Sequence, residues 1–213
     1  MSMSSTFLIV DDHPIFQQGL SRFLAEEFPS VETIQVSTAR DAELKFREQS
    51  LSLVILDLSL PDKNGLEVLK EMKERQPSTP ILILTFHSED RYAVRAFRAG
   101  ADGYITKDSS PALFGDAIRK VLGGRKYVSA SMAEKLAIQV ASSRGEELHE
   151  TLSDREFQVL GLLAQGKTIG SIGVELHLSV NTISTYRVRI LEKLNLKTTA
   201  ELVTYAIQNK LVD

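Results

Sequence analysis

The sequence predicts a doubly wound α/β domain, built on a five-stranded parallel sheet, followed by an all-α unit of four helices. Two patterns and a break between them lead to this reading. From Thr6 to about Leu122, short β-branched apolar runs alternate with longer segments of helical period, as repeated βα units do. From Thr151 onward only helical spacing remains, and no strand competes with it. Between them, Gly123-Gly124 and the polar run Ser142-Ser143-Arg144-Gly145-Glu146-Glu147 interrupt both patterns.

In chain order, the strand candidates are Phe7–Asp11, Thr33–Val36, Leu53–Asp57, Ile81–Thr85 and Gly103–Thr106, short runs rich in branched residues. The intervening helices each show an apolar face: Phe16, Leu20, Phe23 and Leu24 share one, Leu66, Leu69 and Met72 another, and Leu113, Ala117 and Val121 a third. Gly123-Gly124 stops the fifth helix, so the first domain is expected over 1–122 and a linker over 123–150, with a candidate short helix at Met132–Val140. The second domain, 151–213, is expected to hold helices near 154–165, 169–176, 181–194 and 199–209, broken at Gly166, the Leu178-Ser179 step and Asn195. Asn181 or Thr182 is expected to cap the third of these by accepting backbone N–H bonds. The second helix, Ile169-Gly170-Ser171-Ile172-Gly173, is rich in glycine, which costs up to ~1 kcal/mol relative to alanine and implies a weak or closely packed helix.

Composition narrows the classes of function. The 213 residues are 43% hydrophobic, which suits two domains with cores of their own. The absence of cysteine excludes disulfides, thiolate zinc sites and cysteine nucleophiles, leaving oxygen and histidine as metal ligands. Apolar runs such as Leu53–Leu56 and Ile81–Leu84 fall far short of the ~18 residues of a membrane span. No basic residue precedes Phe7, and the apolar stretch after it runs into two aspartates, so no secretory signal is expected and the chain reads as cytoplasmic. The net charge of −3 is uneven: the part from Thr151 onward carries +1 and the remainder −4, as expected if only the second domain meets phosphate backbones.

The chemistry-bearing residues cluster by topology. Asp11-Asp12, Asp57, Thr85 and Lys107 all fall at or just beyond carboxyl ends of predicted strands, where doubly wound sheets gather their functional side chains. Three carboxylates on one rim repel each other, so a hard divalent cation is expected among them, and a few oxygen ligands plus water suit Mg2+. With the Lys107 ammonium, that charge would neutralise a phosphoryl group while the Asp57 carboxylate attacks in line to form an acyl phosphate. The Thr85 hydroxyl can follow the phosphoryl oxygens. Singly, each aspartate could merely start a turn or cap a helix. Together at the correct strand ends they point to chemistry.

Asp11-Asp12, Asp57-Leu-Ser-Leu-Pro61-x3-Gly65, Thr85 and Gly103-Tyr104-Ile105-Thr106-Lys107 resemble the receiver domain of bacterial two-component response regulators, a flavodoxin-like fold, over residues 6–122. The resemblance implies phosphorylation of Asp57 by a sensor histidine kinase or by small acyl phosphates. It also implies Mg2+ ligation by Asp12 and Asp57 directly, by Asp11 through water and by the backbone carbonyl of Ser59. Thr85 and Tyr104 would be the switch pair, the hydroxyl moving toward the phosphoryl group as the ring turns inward. A ring packed at the sheet edge is the alternative for Tyr104. Ser59 and His87 occupy positions that in the family tune water access, although His87 itself reads as an exposed loop residue. Lys107 is followed by Asp108 where many receivers have proline, which leaves the usual cis peptide open.

In the third helix of the second domain, Ile183, Ile190, Leu191 and Leu194 share an inward face, leaving Asn181, Ser184, Thr185 and Val188 on a small, hydrogen-bonding outer face that fits a major groove. Arg189 and Lys193 flank it with Tyr186 beside them, placed to reach phosphates. Arg187 lies nearer the apolar face and is assigned a backbone contact through a snorkelling side chain. A plain helical bundle would show similar spacing. Leu152-Ser-Asp-Arg-Glu156, Gly166-Lys167, Leu178-Ser179-Val-Asn-Thr182-Ile183, Tyr186-Arg187 and Leu191-x-Lys193-Leu194 resemble the LuxR-type helix-turn-helix over 151–213. Ser184 and Val188 stand where that family often has lysine.

A receiver joined to this domain is similar to the NarL/FixJ class. The class implies a transcriptional regulator, not an enzyme, in which Asp57 takes part only in its own phosphoryl transfer and dephosphorylation. It further implies a homodimer when phosphorylated, with promoter DNA as partner and RNA polymerase a candidate. A constitutive dimerisation platform, and a phosphohydrolase using Asp57 as nucleophile, are the competing readings.

Overall fold

The computed structural model describes residues 5–134 and 148–212, and the chain divides into two compact units, Met1–Ile138 and Gln139–Asp213. In the first unit β1 (Ser5–Val10), α1 (Pro14–Glu27), β2 (Val31–Val36), α2 (Ala39–Glu48), β3 (Leu53–Leu56), α3 (Gly65–Arg75), β4 (Ile81–Thr85), α4 (Glu89–Arg98), β5 (Gly103–Thr106) and α5 (Pro111–Leu122) follow one another. The five strands are parallel in the order β2-β1-β3-β4-β5, the doubly wound architecture expected. Both β3 and β4 are buried along their whole length because helices cover both faces of the sheet, and this explains why they are continuous apolar runs and not alternating ones. One face packs Phe7, Ile9, Ile55 and Leu82 against Leu24, Phe114 and Ile118. Each such side chain contributes roughly 1.5–3 kcal/mol on burial.

Chain order reverses between β1 and β3, so their carboxyl ends open a crevice. The register sets Val10 beside Leu56, and the Asp57 N–H donates to the Val10 carbonyl at 2.9 Å. Asp11 and Asp57 therefore emerge side by side, each one residue beyond its strand. Close approach also fixes the next helix: a Cβ on Gly65 would lie 2.5 Å from both the Asp57 carbonyl oxygen and the Leu58 Cα. Only glycine lets α3 start so near the end of β3. Asn64 caps that helix by accepting from the Leu66 N–H, and Thr38 and Ser110 cap α2 and α5 in the same way.

β1 starts two residues before Phe7 and ends at Val10, β3 ends at Leu56, and two larger boundaries also differ from expectation. β2 begins at Val31, before Thr33, because it pairs with β1 from Ser5 onward. The stretch read as linker from Gly123 starts inside the first unit. After Gly124 at φ 72°, Tyr127 bridges Gly103 on the outer side of β5 and is buried with the core, and Met132 is buried as well. Its anchor is Ser129, whose hydroxyl donates to Glu89 at the start of α4. The chain is helical from 130, slightly ahead of Met132, through 134; the rest of the candidate helix to Val140 and the polar run lie outside the described residues.

In the second unit a 3-10 turn (Leu148–Thr151) precedes α6 (Asp154–Ala164), α7 (Ile169–Glu175), α8 (Val180–Lys193) and α9 (Thr199–Gln208). A capping box opens α6, with Ser153 accepting from the Glu156 N–H while the Glu156 carboxylate accepts from the Ser153 N–H. The predicted breaks at Gly166 and Asn195 are left-handed residues, φ 81° and 55°. The third helix is capped by Ser179, not by Asn181 or Thr182: the Ser179 hydroxyl accepts from the Thr182 N–H at 3.1 Å, which puts Asn181 and Thr182 inside the first turn. His177, at φ 52°, turns the chain between α7 and α8. The two glycines of α7 differ. A Cβ on Gly173 would meet the Leu178 carbonyl oxygen at 2.8 Å, whereas one on Gly170 would make only ordinary contact, with the Thr168 hydroxyl at 3.9 Å.

Candidate functional site

The crevice between β1 and β3 holds a buried charge cluster. Lys107 follows β5, where its N–H donates to the Thr85 carbonyl, and its ammonium reaches Asp11 Oδ2 at 2.6 Å and Asp57 Oδ2 at 2.7 Å. The Lys107 side chain is 0% exposed. Asp11 is oriented through its other oxygen, which accepts from the His13 N–H, while Gln17 donates to the Asp11 and Val36 carbonyls and holds the turn. Asp57 Oδ1 accepts from the Ser59 N–H. Ligand atoms of Asp11, Asp12, His13 and Asp57 all lie within 4.8 Å of one another. His13 is a member the sequence reading missed; its position directly after the aspartate pair was the available signal. Thr85, at the end of β4, is fully buried and accepts from the His87 N–H at 3.4 Å.

The donor set suits a magnesium ion. Three carboxylates face one ammonium, and Oδ1 of Asp12 is buried without a hydrogen bond, although His13 Nδ1 lies 2.8 Å away. A hard cation with oxygen ligands answers both the surplus negative charge and the orphaned oxygen.

On α8, Ile183, Ile190, Leu191 and Leu194 are buried, while Asn181, Thr185, Val188 and Arg189 are exposed and Ser184 and Tyr186 half-buried. The Ser184 and Thr185 hydroxyls donate to the Val180 and Asn181 carbonyls, which leaves their oxygens as acceptors toward the outside. The two remaining basic residues are engaged internally. Arg187 donates to Thr199 Oγ1 at the start of α9. Lys193 was expected to flank the outer face; its ammonium instead lies 2.6 Å from the buried Glu156 carboxylate, because the last turn of α8 packs over the start of α6.

Comparison with known proteins converges on one assignment. Residues 7–119 match the family described as "Response regulator receiver domain", and residues 150–206 that described as "Bacterial regulatory proteins, luxR family". Response regulator GacA of Pseudomonas aeruginosa is 34% identical over 211 residues, 97% of each chain. Response regulator UvrY of Escherichia coli K12 is 31% identical, covering 96% of this chain and 94% of the relative. The chain belongs to the NarL/FixJ-class response regulators. Among solved structures, a LuxR-family response regulator from Aurantimonas sp. SI85-9A1 is similar at TM-score 0.59 and 34% identity, covering 65% of this chain and 99% of that one. RcsB from Salmonella enterica serovar Typhimurium, bound to promoter P1flhDC with a phosphomimetic, is similar at TM-score 0.59 and 25% identity, covering 95% and 97%. Two-component signalling and DNA-binding transcription regulation are thus the functions of this class, and no helix among the described residues is long and apolar enough to cross a membrane.

In this response regulator the region beyond β4 is knitted together by His87. Its ring is half-buried, not exposed as expected: Nε2 lies 3.0 Å from Ser59 Oγ and the ring stacks on Tyr92 at 4.3 Å. The His87 carbonyl accepts from the Tyr104 hydroxyl at 3.0 Å. Tyr104 belongs to the outermost strand and its ring is fully buried. Burial, reinforced by Tyr92, Glu89 and Asp57, pushes its phenol pKa well up, which keeps the hydroxyl a donor. Among the described residues no peptide bond is cis, so Lys107-Asp108 is trans.

Proposed function

We propose that this regulator is switched by phosphorylation of Asp57, with a sensor histidine kinase as donor and Mg2+ in the acidic pocket. The observation that carries the reading is the fully buried Lys107 ammonium shared by Asp11 and Asp57, beside a buried Asp12 oxygen that makes no hydrogen bond. A pocket with that much like charge has no role as a mere packing surface. Asp11, Asp12 and Asp57, with the Ser59 carbonyl, would hold the ion, which supplies charge neutralisation to a phosphoryl group when bound. An Asp57 oxygen attacks phosphorus, the phosphorus–nitrogen bond of the donor phosphohistidine breaks, and the released imidazole takes a proton from water. Lys107 then pairs with the phosphoryl oxygens, Thr85 donates its hydroxyl to them, and Tyr104 keeps the inward position.

The new charge favours a state whose recognition helix α8 is available to promoter DNA and whose chains pair as a homodimer, with RNA polymerase as the downstream partner. A preference of ~3 kcal/mol shifts the population ratio more than a hundredfold. On DNA, Asn181, Ser184, Thr185 and Val188 face the bases, Arg189 and Tyr186 meet phosphates, and Arg187 and Lys193 hold α8 in place. The test compares wild type with Asp57→Ala, each treated with acetyl phosphate and magnesium. Wild type gains one phosphate in mass, dimerises and binds DNA more tightly, and Asp57→Ala does none of these. Identical behaviour of both proteins would leave the first unit as a constitutive platform and remove the switch.

A further inference from the structure

We propose that Asp62 is a positioning residue for the phosphoryl site: by clamping the β3–α3 loop onto the start of α2, it sets the Ser59 carbonyl for Mg2+. This rests on the reading of Asp57 as a phosphoacceptor served by Mg2+. Asp62 lies in the loop just before α3, yet it does not cap that helix, because Asn64 does. It is exposed, and still both of its carboxylate oxygens are used. Oδ1 accepts from the Ala39 N–H at 2.8 Å and Oδ2 from the Arg40 N–H at 3.0 Å, on a helix 22 and 23 residues earlier in the chain. Those are the first two N–H groups of α2, which no carbonyl within the helix can satisfy. A carboxylate placed there makes charge-assisted hydrogen bonds at the favourable end of the helix dipole. Thr38 already accepts from the Asp41 N–H, so α2 has an ordinary cap of its own and Asp62 is a second tie supplied by the loop.

The loop carries that tie to the site over a short span. Its two ends are closed on each other: Ser59 and Asn64 form an antiparallel bridge, and the Gly65 N–H donates to the Leu58 carbonyl at 3.0 Å. The tip, Pro61 to Lys63, is the part with freedom to shift, and Asp62 fixes it on α2. Lys63 adds a weaker tie, with Nζ 3.0 Å from Glu43 of α2 and 2.5 Å from Glu71 of α3, but these groups are partly exposed and solvent screens their pairs. Ser59 stands at the base of the same loop, where its N–H donates to Asp57 Oδ1 and its carbonyl is the expected ligand. Magnesium tolerates little departure from octahedral geometry, so a neutral carbonyl contributes only if it stands in place when the ion arrives. Released from Asp62, the loop samples more positions and must be ordered by the ion on binding. The penalty then falls on ion affinity and not on the transfer step once the ion is bound.

The experiment uses the full chain and compares wild type, Asp62→Ala, Asp62→Asn and Thr38→Ala. Mg2+ affinity is measured by calorimetric titration, and phosphorylation by phosphoramidate is followed by mass over a range of Mg2+ concentrations. Asp62→Ala is expected to raise the Mg2+ Kd about three- to tenfold, and to raise by the same factor the concentration that gives half the maximal rate. Its rate at saturating Mg2+ stays at the wild-type value. Asp62→Asn, which keeps one acceptor oxygen, falls between the two. Thr38→Ala removes a cap from the same helix end without touching the loop, so it lowers the melting temperature but leaves the Mg2+ Kd unchanged, which separates positioning from helix stability. An unchanged Kd in Asp62→Ala, a lower rate at saturating Mg2+, or an equal loss of affinity in Thr38→Ala would each overturn the proposal. Should circular dichroism show Asp62→Ala to be unfolded, Asp62→Asn decides, and an unchanged Kd there overturns it. If wild type itself binds no Mg2+ or acquires no phosphate on Asp57 while remaining folded, the phosphoacceptor reading fails first and this inference falls with it.

Discussion

Replacing Lys193 by methionine tests whether that ammonium belongs to DNA or to the fold. Its partner Glu156 is only 3% exposed and also accepts from the Ser153 N–H at 2.8 Å, so the carboxylate would lose one of two strong donors while staying buried. Breaking a fully buried pair costs roughly 3–5 kcal/mol, and exposed pairs are worth roughly 0.2–1 kcal/mol. Because the Lys193 side chain is 41% exposed, solvent screening puts the loss between these limits, at about 2 kcal/mol. Amide hydrogen exchange in α6 and α8 of the full chain reads this as a roughly thirtyfold loss of protection. The pH dependence follows. Burial raises the Glu156 pKa, but the bonds from Lys193 and Ser153 outweigh it and hold the group below its ordinary value. A carboxylate depressed in the folded state stabilises fully above the unfolded value, and that stabilisation disappears as pH falls through the folded value. Wild-type protection should therefore weaken in acid, and the Lys193→Met profile should be flatter. Unchanged protection, together with a salt slope of DNA binding lower by about one, would show that the ammonium meets a phosphate and not Glu156.

Gly65→Ala places a Cβ nearly an ångström inside ordinary contact with the main chain of Asp57 and Leu58, costing about 1–3 kcal/mol; its melting temperature should fall and Asp57 phosphorylation should slow, both measurable with acetyl phosphate and calorimetry. In α7 the two glycines should part in sign: Gly170→Ala, whose Cβ meets only the Thr168 hydroxyl at an ordinary 3.9 Å, stabilises by about 0.5 kcal/mol, whereas Gly173→Ala drives into the Leu178 carbonyl and destabilises by about 1–3 kcal/mol, as urea titrations would reveal. Arg189→Ala should weaken binding to every DNA sequence and reduce the salt slope by about one, while Val188→Ala should alter which base pairs are selected from a random pool.

What was legible in the sequence was whatever short-range pattern and strand order determine. The alternating βα runs put Asp11 and Asp57 at carboxyl ends of strands, and the register of β1 on β3 sets them side by side. The buried face of α8 follows from spacing alone. Other features depend on partners distant along the chain. Three good capping residues, Ser179, Asn181 and Thr182, stand within four positions, and the choice among them is settled by the turn that Gly173 and Leu178 allow. A helical wheel puts Lys193 on a flank but carries no sign of Glu156 beneath it. His87 looked like a loop residue because Tyr92, which covers it, belongs to the following helix.

Tyr127 fixes where a shortened first unit can end. Its N–H donates to the Asp102 carbonyl and its carbonyl accepts from the Tyr104 N–H, so the outer rail of β5 is occupied by the chain's own continuation. A fragment cut after Leu122, at the apparent helix end, would bare those main-chain groups and uncover the apolar surface under the ring. Exposed strand edges of that kind recruit neighbouring molecules, which makes self-association the expected behaviour of such a fragment. Terminating after residue 134 keeps the edge sealed.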